Sequence, residues 1–249
     1  DVYHGAPTSV AAFVGTAPKI AAVMFAFRIL LTGFGEVHQY WAPMFAVLAV
    51  ASLVVGNLAA IMQTNIKRML AYSTVSHMGF ILLAFMAGSI GSTAGLYYAI
   101  TYALMAAAGF GILMVLSNDN IECEEIKDLA GLNQRHAWFA LLMLLVMFSM
   151  AGIPPLMGFY AKFGVIMVLL KFHYVWLSVF AVVMSLIGAF YYLRVVKVMY
   201  FDEPTHDQPI GSNYAAKFFL SVNAFLLVLW GVMPQTMIDW CAKALENTL

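Results

Sequence analysis

Apolar residues fall in seven long blocks, near residues 9–33, 42–62, 69–87, 93–117, 137–170, 174–200 and 214–238. Short polar stretches separate them. A helix needs about 20 apolar residues to cross a bilayer, and each block is close to that length or longer. The pattern predicts an all-α membrane protein, a polytopic bundle of about seven transmembrane helices forming a single membrane domain over 1–249. The fifth block is too long for one plain crossing and is interrupted by Gly152-Ile153-Pro154-Pro155 and then Gly158. Two adjacent prolines remove two backbone donors and clash with the preceding turn. This block therefore reads as two half-helices joined by a short extended piece. Unpaired backbone at membrane depth survives only where protein or a water-filled cavity covers it. At the other end, DVYHGAPTS reads as a polar lead-in, with Pro7 in the first turn and Thr8 and Ser9 as caps.

Composition sharpens the class. The chain is 63% hydrophobic and 10% charged, with mean hydropathy +0.89, whereas a soluble domain carries about 25% charged residues. Zero net charge gives no reason to expect a nucleic acid partner. Cys123 and Cys241 lie far apart without a ligand-like spacing, so disulfide and metal readings are both weak. The chain starts at Asp1 without a signal peptide, which reads as a piece of something longer or a processed product.

The connections suggest an orientation. One face receives Lys67, Arg68, Lys127, Arg135, Arg194, Lys197 and Lys217; the other clearly receives only Lys171 and Lys243, with Arg28 near a helix end. The positive-inside rule puts the first face in the cytoplasm. The N-terminal end is then cytoplasmic and the C-terminus outside. Two polar loops on the cytoplasmic face, Asn118 to Arg135 and Phe201 to Asn213, read as solvated segments or, alternatively, as a docking surface for another subunit.

No acidic residue lies in the middle of an apolar block, but two lysines do, Lys19 in GTAPKIAAV and Lys162 just past the break beside Tyr160 and Phe163. Burying an unpaired ammonium costs several kcal/mol and favours its neutral form. A lysine so placed can take and release a proton. Lys19 also admits a snorkelling reading, since it lies near the cytoplasmic end of its helix. Lys162 has less room to escape, and the freed carbonyls beside it favour a functional site. His77 is the third candidate, with Tyr72, Ser73, Thr74 and Ser76 nearby. Several of these share a helical face and could hold water against an imidazole that titrates near neutral pH. A satisfied polar patch between helices accounts for them equally well. Asn57, Tyr97, Tyr98, Thr101, Tyr102, Ser185, Tyr191 and Asn223 extend the polar set, each more simply read as packing. His4, His38, His136, His173 and His206 read as interfacial. No histidine pair is spaced for haem, and no dinucleotide, P-loop or nucleophile-elbow motif occurs, so no redox cofactor is expected within this chain.

Three stretches, DVYHGAPTSVAAFVGTAPKIAAV, QTNIKRMLAYSTVSHMGF and KDLAGLNQRHAWFALLMLLVMFSMAGIPPLMGFYAKF, resemble in order the antiporter-like membrane subunits of respiratory complex I. Lysine at 162 and the short C-terminal end are most similar to the branch called subunit N in bacteria. The resemblance implies fourteen helices in two inverted repeats, each with a broken helix, of which this chain would be the C-terminal half. Lys19 matches the family's eighth-helix lysine, Lys162 the twelfth-helix lysine that exchanges protons with the outer face, and His77 a polar position in the central axis. Pro154 and Pro155 would keep the helix open, with Tyr72, Ser73, Ser76 and Tyr160 supporting water. The family's membrane glutamate–lysine pair is not in this sequence.

The implied function is proton translocation coupled to NADH:quinone electron transfer in other subunits. NAD, FMN, iron–sulfur clusters and quinone would be held by those partners and none by this chain. The implied setting is the bacterial inner membrane, with the lipid bilayer, other complex I membrane subunits and the missing N-terminal half as partners. A sodium/proton antiporter subunit and a purely structural membrane spacer are the alternative readings.

Overall fold

The computed structural model describes residues 2–117, 123–204 and 214–246. Parts of both polar loops, including Glu122, His206, Asp207 and Pro209, lie outside the described residues. The described chain is helical: α1 (Val2–Gly5), α2 (Thr8–Gly15), α3 (Ala17–Arg28), α4 (His38–Ile61), α5 (Ile66–Phe85), α6 (Gly88–Leu116), α7 (Leu132–Ala151), α8 (Met157–Lys171), α9 (Val175–Phe201), α10 (Tyr214–Val232) and α11 (Pro234–Glu246).

Six spans among the described residues are long and apolar enough to cross a membrane: Thr8–Gly33, Gly35–Ile61, Gly88–Leu116, Leu132–Ala151, Val175–Phe201 and Tyr214–Val232. The expected count of about seven is therefore not reproduced. The block at 69–87 corresponds to α5, whose twenty residues include Lys67, Arg68, His77 and several hydroxyls. Its polar groups are turned inward, so most of α5 is buried in the bundle. The first span is also less regular than its apolar run suggested. It bends at Thr16, between α2 and α3, and ends in a wider π turn at Ile29–Gly33. Pro7 holds the N-cap position of α2 without a side-chain cap, so Thr8 and Ser9 fall inside the helix rather than capping it.

α6 is the central rod. Two thirds (67%) of its most apolar window is buried, against 17–28% for the spans containing α3, α4, α9 and α10. Those outer helices turn Phe25, Val47, Leu186 and Phe225 outward, as expected where lipid or another membrane protein covers them. Inside, small residues let backbones approach, the usual basis of helix association in a bilayer. At Gly56 of α4 an added Cβ would lie 2.5 Å from the Ser76 nitrogen and 2.9 Å from the Tyr72 oxygen of α5. At Gly231 of α10 it would run into the backbone of Pro155 to Met157 at the break.

On the face that receives the 62–65 turn, the chain is tied together by polar contacts. Asn65 caps α5 by accepting from the Arg68 N–H at 3.0 Å. The segment before α7 pairs with the same turn, through Ile66 N–H to Glu124 O at 2.7 Å and Ile126 N–H to Thr64 O at 2.9 Å. Buried Lys67 meets Glu124 at 2.8 Å. Arg194 of α9 donates to the carbonyls of Ile61 and Gln63 at 2.9 and 2.6 Å, a cation placed where α4 leaves its last carbonyls unpaired. Cys123, in the same segment, is buried. Burial, helped by nearby Asp128, pushes its thiol up to about 12.

Two outcomes follow from this packing. Gly56→Ala should force α4 and α5 apart and destabilise the fold by about 1–3 kcal/mol, read as a lowered melting temperature. Cys123 should stay almost entirely protonated and hidden at pH 8, so a maleimide should label it far more slowly than an unfolded control. Equal rates would contradict the docking of this segment.

Candidate functional site

α7 stops at a glycine for a backbone reason. Gly152 has φ +87°, a conformation that favours glycine. Its N–H donates to Ser149 O at 3.0 Å and the Ile153 N–H donates to Phe148 O at 3.0 Å. These are the two bonds of a Schellman ending. Pro154 and Pro155, joined by a cis peptide, carry the chain across the gap. α8 starts at Met157, and the Gly158 N–H donates to Ser149 Oγ at 3.1 Å, tying the second half-helix to the first.

The ending leaves the Ala151 carbonyl to another donor. Lys162, on the second turn of α8, supplies it: Nζ donates to Ala151 O at 2.9 Å and to Ser185 Oγ of α9 at 2.9 Å. The Phe80 ring lies 5.6 Å from the same nitrogen. Lys162 is 7% exposed, and a Cβ at Gly152 would stand 3.0 Å from its Cδ, so the glycine also makes room for it. The ammonium sits at the C-terminal end of a half-helix, where the aligned peptide dipoles favour a cation. Its acceptors are neutral. Among the described residues, no carboxylate forms an ion pair with Lys162 or Lys19.

His77 is buried at the centre of α5. Its Nδ1 meets Tyr98 Oη at 2.8 Å and its Nε2 meets Tyr192 Oη at 3.0 Å. A neutral imidazole has one donor and one acceptor nitrogen, so both are matched by tyrosine hydroxyls from α6 and α9. The Tyr102 ring lies 5.0 Å from the imidazole. Tyr102 Oη hydrogen-bonds Thr74 Oγ1 and faces Lys19 Nζ at 3.5 Å. Lys19 is half-buried, with Nζ 4.8 Å from the Tyr102 ring and 5.2 Å from the Tyr3 ring. It lines a cavity of about 280 Å³ together with Tyr3, Arg68, Tyr72 and Thr74. Its ammonium thus faces the bundle's aromatic interior as well as this opening.

The three candidates form one interior line: Lys19, Tyr102, the His77 centre, and Lys162 at the break. Ser73 and Ser76 lie on the His77 side, with Ser73 Oγ donating to Leu70 O at 2.7 Å. Tyr72 does not join them; it lines the Lys19 cavity, because five residues from His77 is about 1.4 turns. Tyr160 stands half-buried on the first turn of α8, edge-on to Phe159. Tyr192 was missed in the sequence. Its signal was a tyrosine pair, Tyr191-Tyr192, inside an otherwise apolar helix. Asn57, read as packing, is tied in as well: it donates to Met184 O at 3.0 Å and accepts from Tyr191 Oη at 3.1 Å. Among the described residues, no three of His, Cys, Asp and Glu gather as metal ligands would.

Comparison with known proteins converges on one family. The family described as NADH:quinone oxidoreductase/Mrp antiporter, TM, matches residues 1–188. NADH-quinone oxidoreductase subunit N of Neisseria gonorrhoeae is 81% identical across the whole of this chain, which covers 52% of that protein. The subunit N of Nitrosomonas europaea is 51% identical, again over all of this chain and 52% of its own length. The chain therefore spans about half the length of the curated relatives it matches. Among solved structures, a chain of respiratory complex I from Thermus thermophilus with bound aureothin superposes with a TM-score of 0.81 at 30% identity, covering 96% of this chain and 52% of that one. A chain of the Mrp complex from Dietzia sp. reaches 0.87 at 23% identity over 99% of this chain and 54% of that one, a likeness of fold alone. With a match that runs from the first helix past the broken one, the chain belongs to the NADH:quinone oxidoreductase/Mrp antiporter membrane family.

Proposed function

We propose that this chain is the C-terminal half of a proton-translocating membrane subunit of an NADH:quinone oxidoreductase, and that Lys162, His77 and Lys19 carry the proton. The observation that carries this reading is the Lys162 ammonium on the Ala151 carbonyl at the helix break. An ammonium held by neutral acceptors lacks the fixed counter-charge that would lock its proton in place. When Lys162 gives up a proton, its neutral amine can take the next one, and Ala151 O and Ser185 Oγ remain to accept hydrogen bonds from the ammonium that re-forms. At the centre, neutral His77 between two tyrosine hydroxyls can accept at one nitrogen and release at the other. Lys19 joins through Tyr102. Neither NADH nor quinone chemistry is assigned to this chain; partner subunits would supply it and the cofactors, with this half serving the proton path.

In this reading the polypeptide is a multi-pass protein of the bacterial inner membrane, one domain with α5 as a seventh, inward-facing crossing. The face with Lys67, Lys127 and Arg194 is cytoplasmic. The 81% identity to a protein named subunit N supports the oxidoreductase over the antiporter alternative. The spacer alternative predicts instead that Lys162 and Lys19 can both be lost without effect.

Lys162→Ala in the full-length subunit of the assembled enzyme should lower proton translocation roughly tenfold or more at a normal level of complex. Normal pumping would refute the assignment. His77→Gln keeps one donor and one acceptor for the two tyrosines but cannot exchange a proton between them, so it should also assemble normally and pump poorly. Dependence on sodium but not on NADH or quinone would instead favour the antiporter. A cysteine at position 127 should react with an impermeant reagent from the cytoplasmic side only; labelling from outside would invert the topology.

A further inference from the structure

The distance between Lys162 and His77 is not closed by direct contact. Both nitrogens of His77 are occupied by tyrosines, and Lys162 is occupied by Ala151 O and Ser185 Oγ. Between them lies a void with about 10 Å³ of room, lined by Lys162, Ser185, His77, Tyr191, Tyr192 and Gly188 among others. That is near the least volume that holds one water and well short of two. A buried water also needs two to four polar partners. The ammonium has three N–H donors, two of them used, and the Tyr191 and Tyr192 hydroxyls each keep a lone pair. The size and the chemistry agree.

Gly188 sets the size. A Cβ there would lie 3.1 Å from Asn57 Oδ1 and 3.5 Å from Tyr191 Oη, at the edge of the void. Asn57 cannot easily give way, since its amide donates to Met184 O and its oxygen accepts from Tyr191.

We propose that Lys162 communicates with His77 through a single resident water and the Tyr192 hydroxyl, and that Gly188 and the Asn57–Tyr191 pair keep that one place open. The proton leaves the Lys162 ammonium for the water. The water passes a proton to Tyr192 Oη as the hydroxyl hands its own to His77 Nε2, leaving His77 as an imidazolium whose Nδ1–H donates to Tyr98 Oη. The water and Tyr192 end with the protons they began with; Lys162 has lost one and His77 has gained it. Gly188 and Asn57 are positioning residues; they touch the water's surroundings rather than the moving proton. This inference rests on the proton-carrying reading of Lys162.

The test uses the full-length subunit in its assembled enzyme, with protons translocated per NADH oxidised and complex level as readouts. Gly188→Ala should place a methyl group at the void and lower translocation by roughly tenfold or more, with assembly retained. Gly164→Ala, on the same helix as Lys162, meets only Ala94 Cβ at 3.9 Å and should behave as wild type. Where Gly188→Ala lowers the complex level, Tyr192→Phe keeps the ring but removes the hydroxyl that links the water to His77 Nε2, and should give the same loss. Normal translocation in whichever variant assembles, alongside a defect in Lys162→Ala, overturns the single-water link alone. Normal translocation in Lys162→Ala overturns the reading beneath it.

Discussion

The structure depends on one hydrogen bond, from the Lys162 ammonium to the carbonyl that the end of α7 leaves exposed. A broken helix in a membrane presents polar backbone that cannot turn to solvent. Here several of the freed groups have partners within the fold. The Schellman ending takes the Phe148 and Ser149 carbonyls, Ser149 Oγ takes the Gly158 N–H, and Lys162 takes Ala151 O. The lysine is therefore part of what makes the break tolerable. In turn the break gives a buried ammonium an acceptor it would not find beside a continuous helix. In a Lys162→Ala variant the vacated polar space admits water to the same carbonyl.

Around that bond, the bundle supplies hydroxyls rather than charges. Tyr98, Tyr102, Tyr191 and Tyr192 are each almost fully buried, and their oxygens meet His77, Thr74, Asn57 and Lys19. A tyrosine hydroxyl both donates and accepts, so such a chain can pass a proton without a resident charge at every step. The close contacts at Gly56, Gly188 and Gly231 bring α4, α9 and α10 within reach of this line. Ion pairs stand near the ends of the helices, where buried Lys67 meets Glu124 and exposed Lys197 meets Asp202. The interior is left to neutral acceptors.

Much of this was legible in the sequence, for definite reasons. Long apolar runs can do little but form spanning helices, and the Gly-Ile-Pro-Pro interruption can do little but break one, so the break and its lysine were evident. Contacts between distant helices were not. His77 meets Tyr192 across 115 residues, and no local pattern announces that pairing. Tyr72 lies about 140° around the helix axis from His77 and lines the Lys19 cavity, a placement that follows from spacing once the helix bounds are known. The count of crossings differed at α5, where an inward polar face lowers the mean hydropathy of a helix that is nonetheless deep in the bundle. The bend at Thr16 left no mark that an apolar tally could register.

The most direct test is an experimental density map of a membrane protein that contains this chain, at a resolution that shows ordered water. It should show α7 and α8 as separate half-helices, with Lys162 Nζ within hydrogen-bond reach of Ala151 O and inside the bundle. A continuous helix through residues 151–157, or a Lys162 side chain turned toward lipid, would contradict the account at its root.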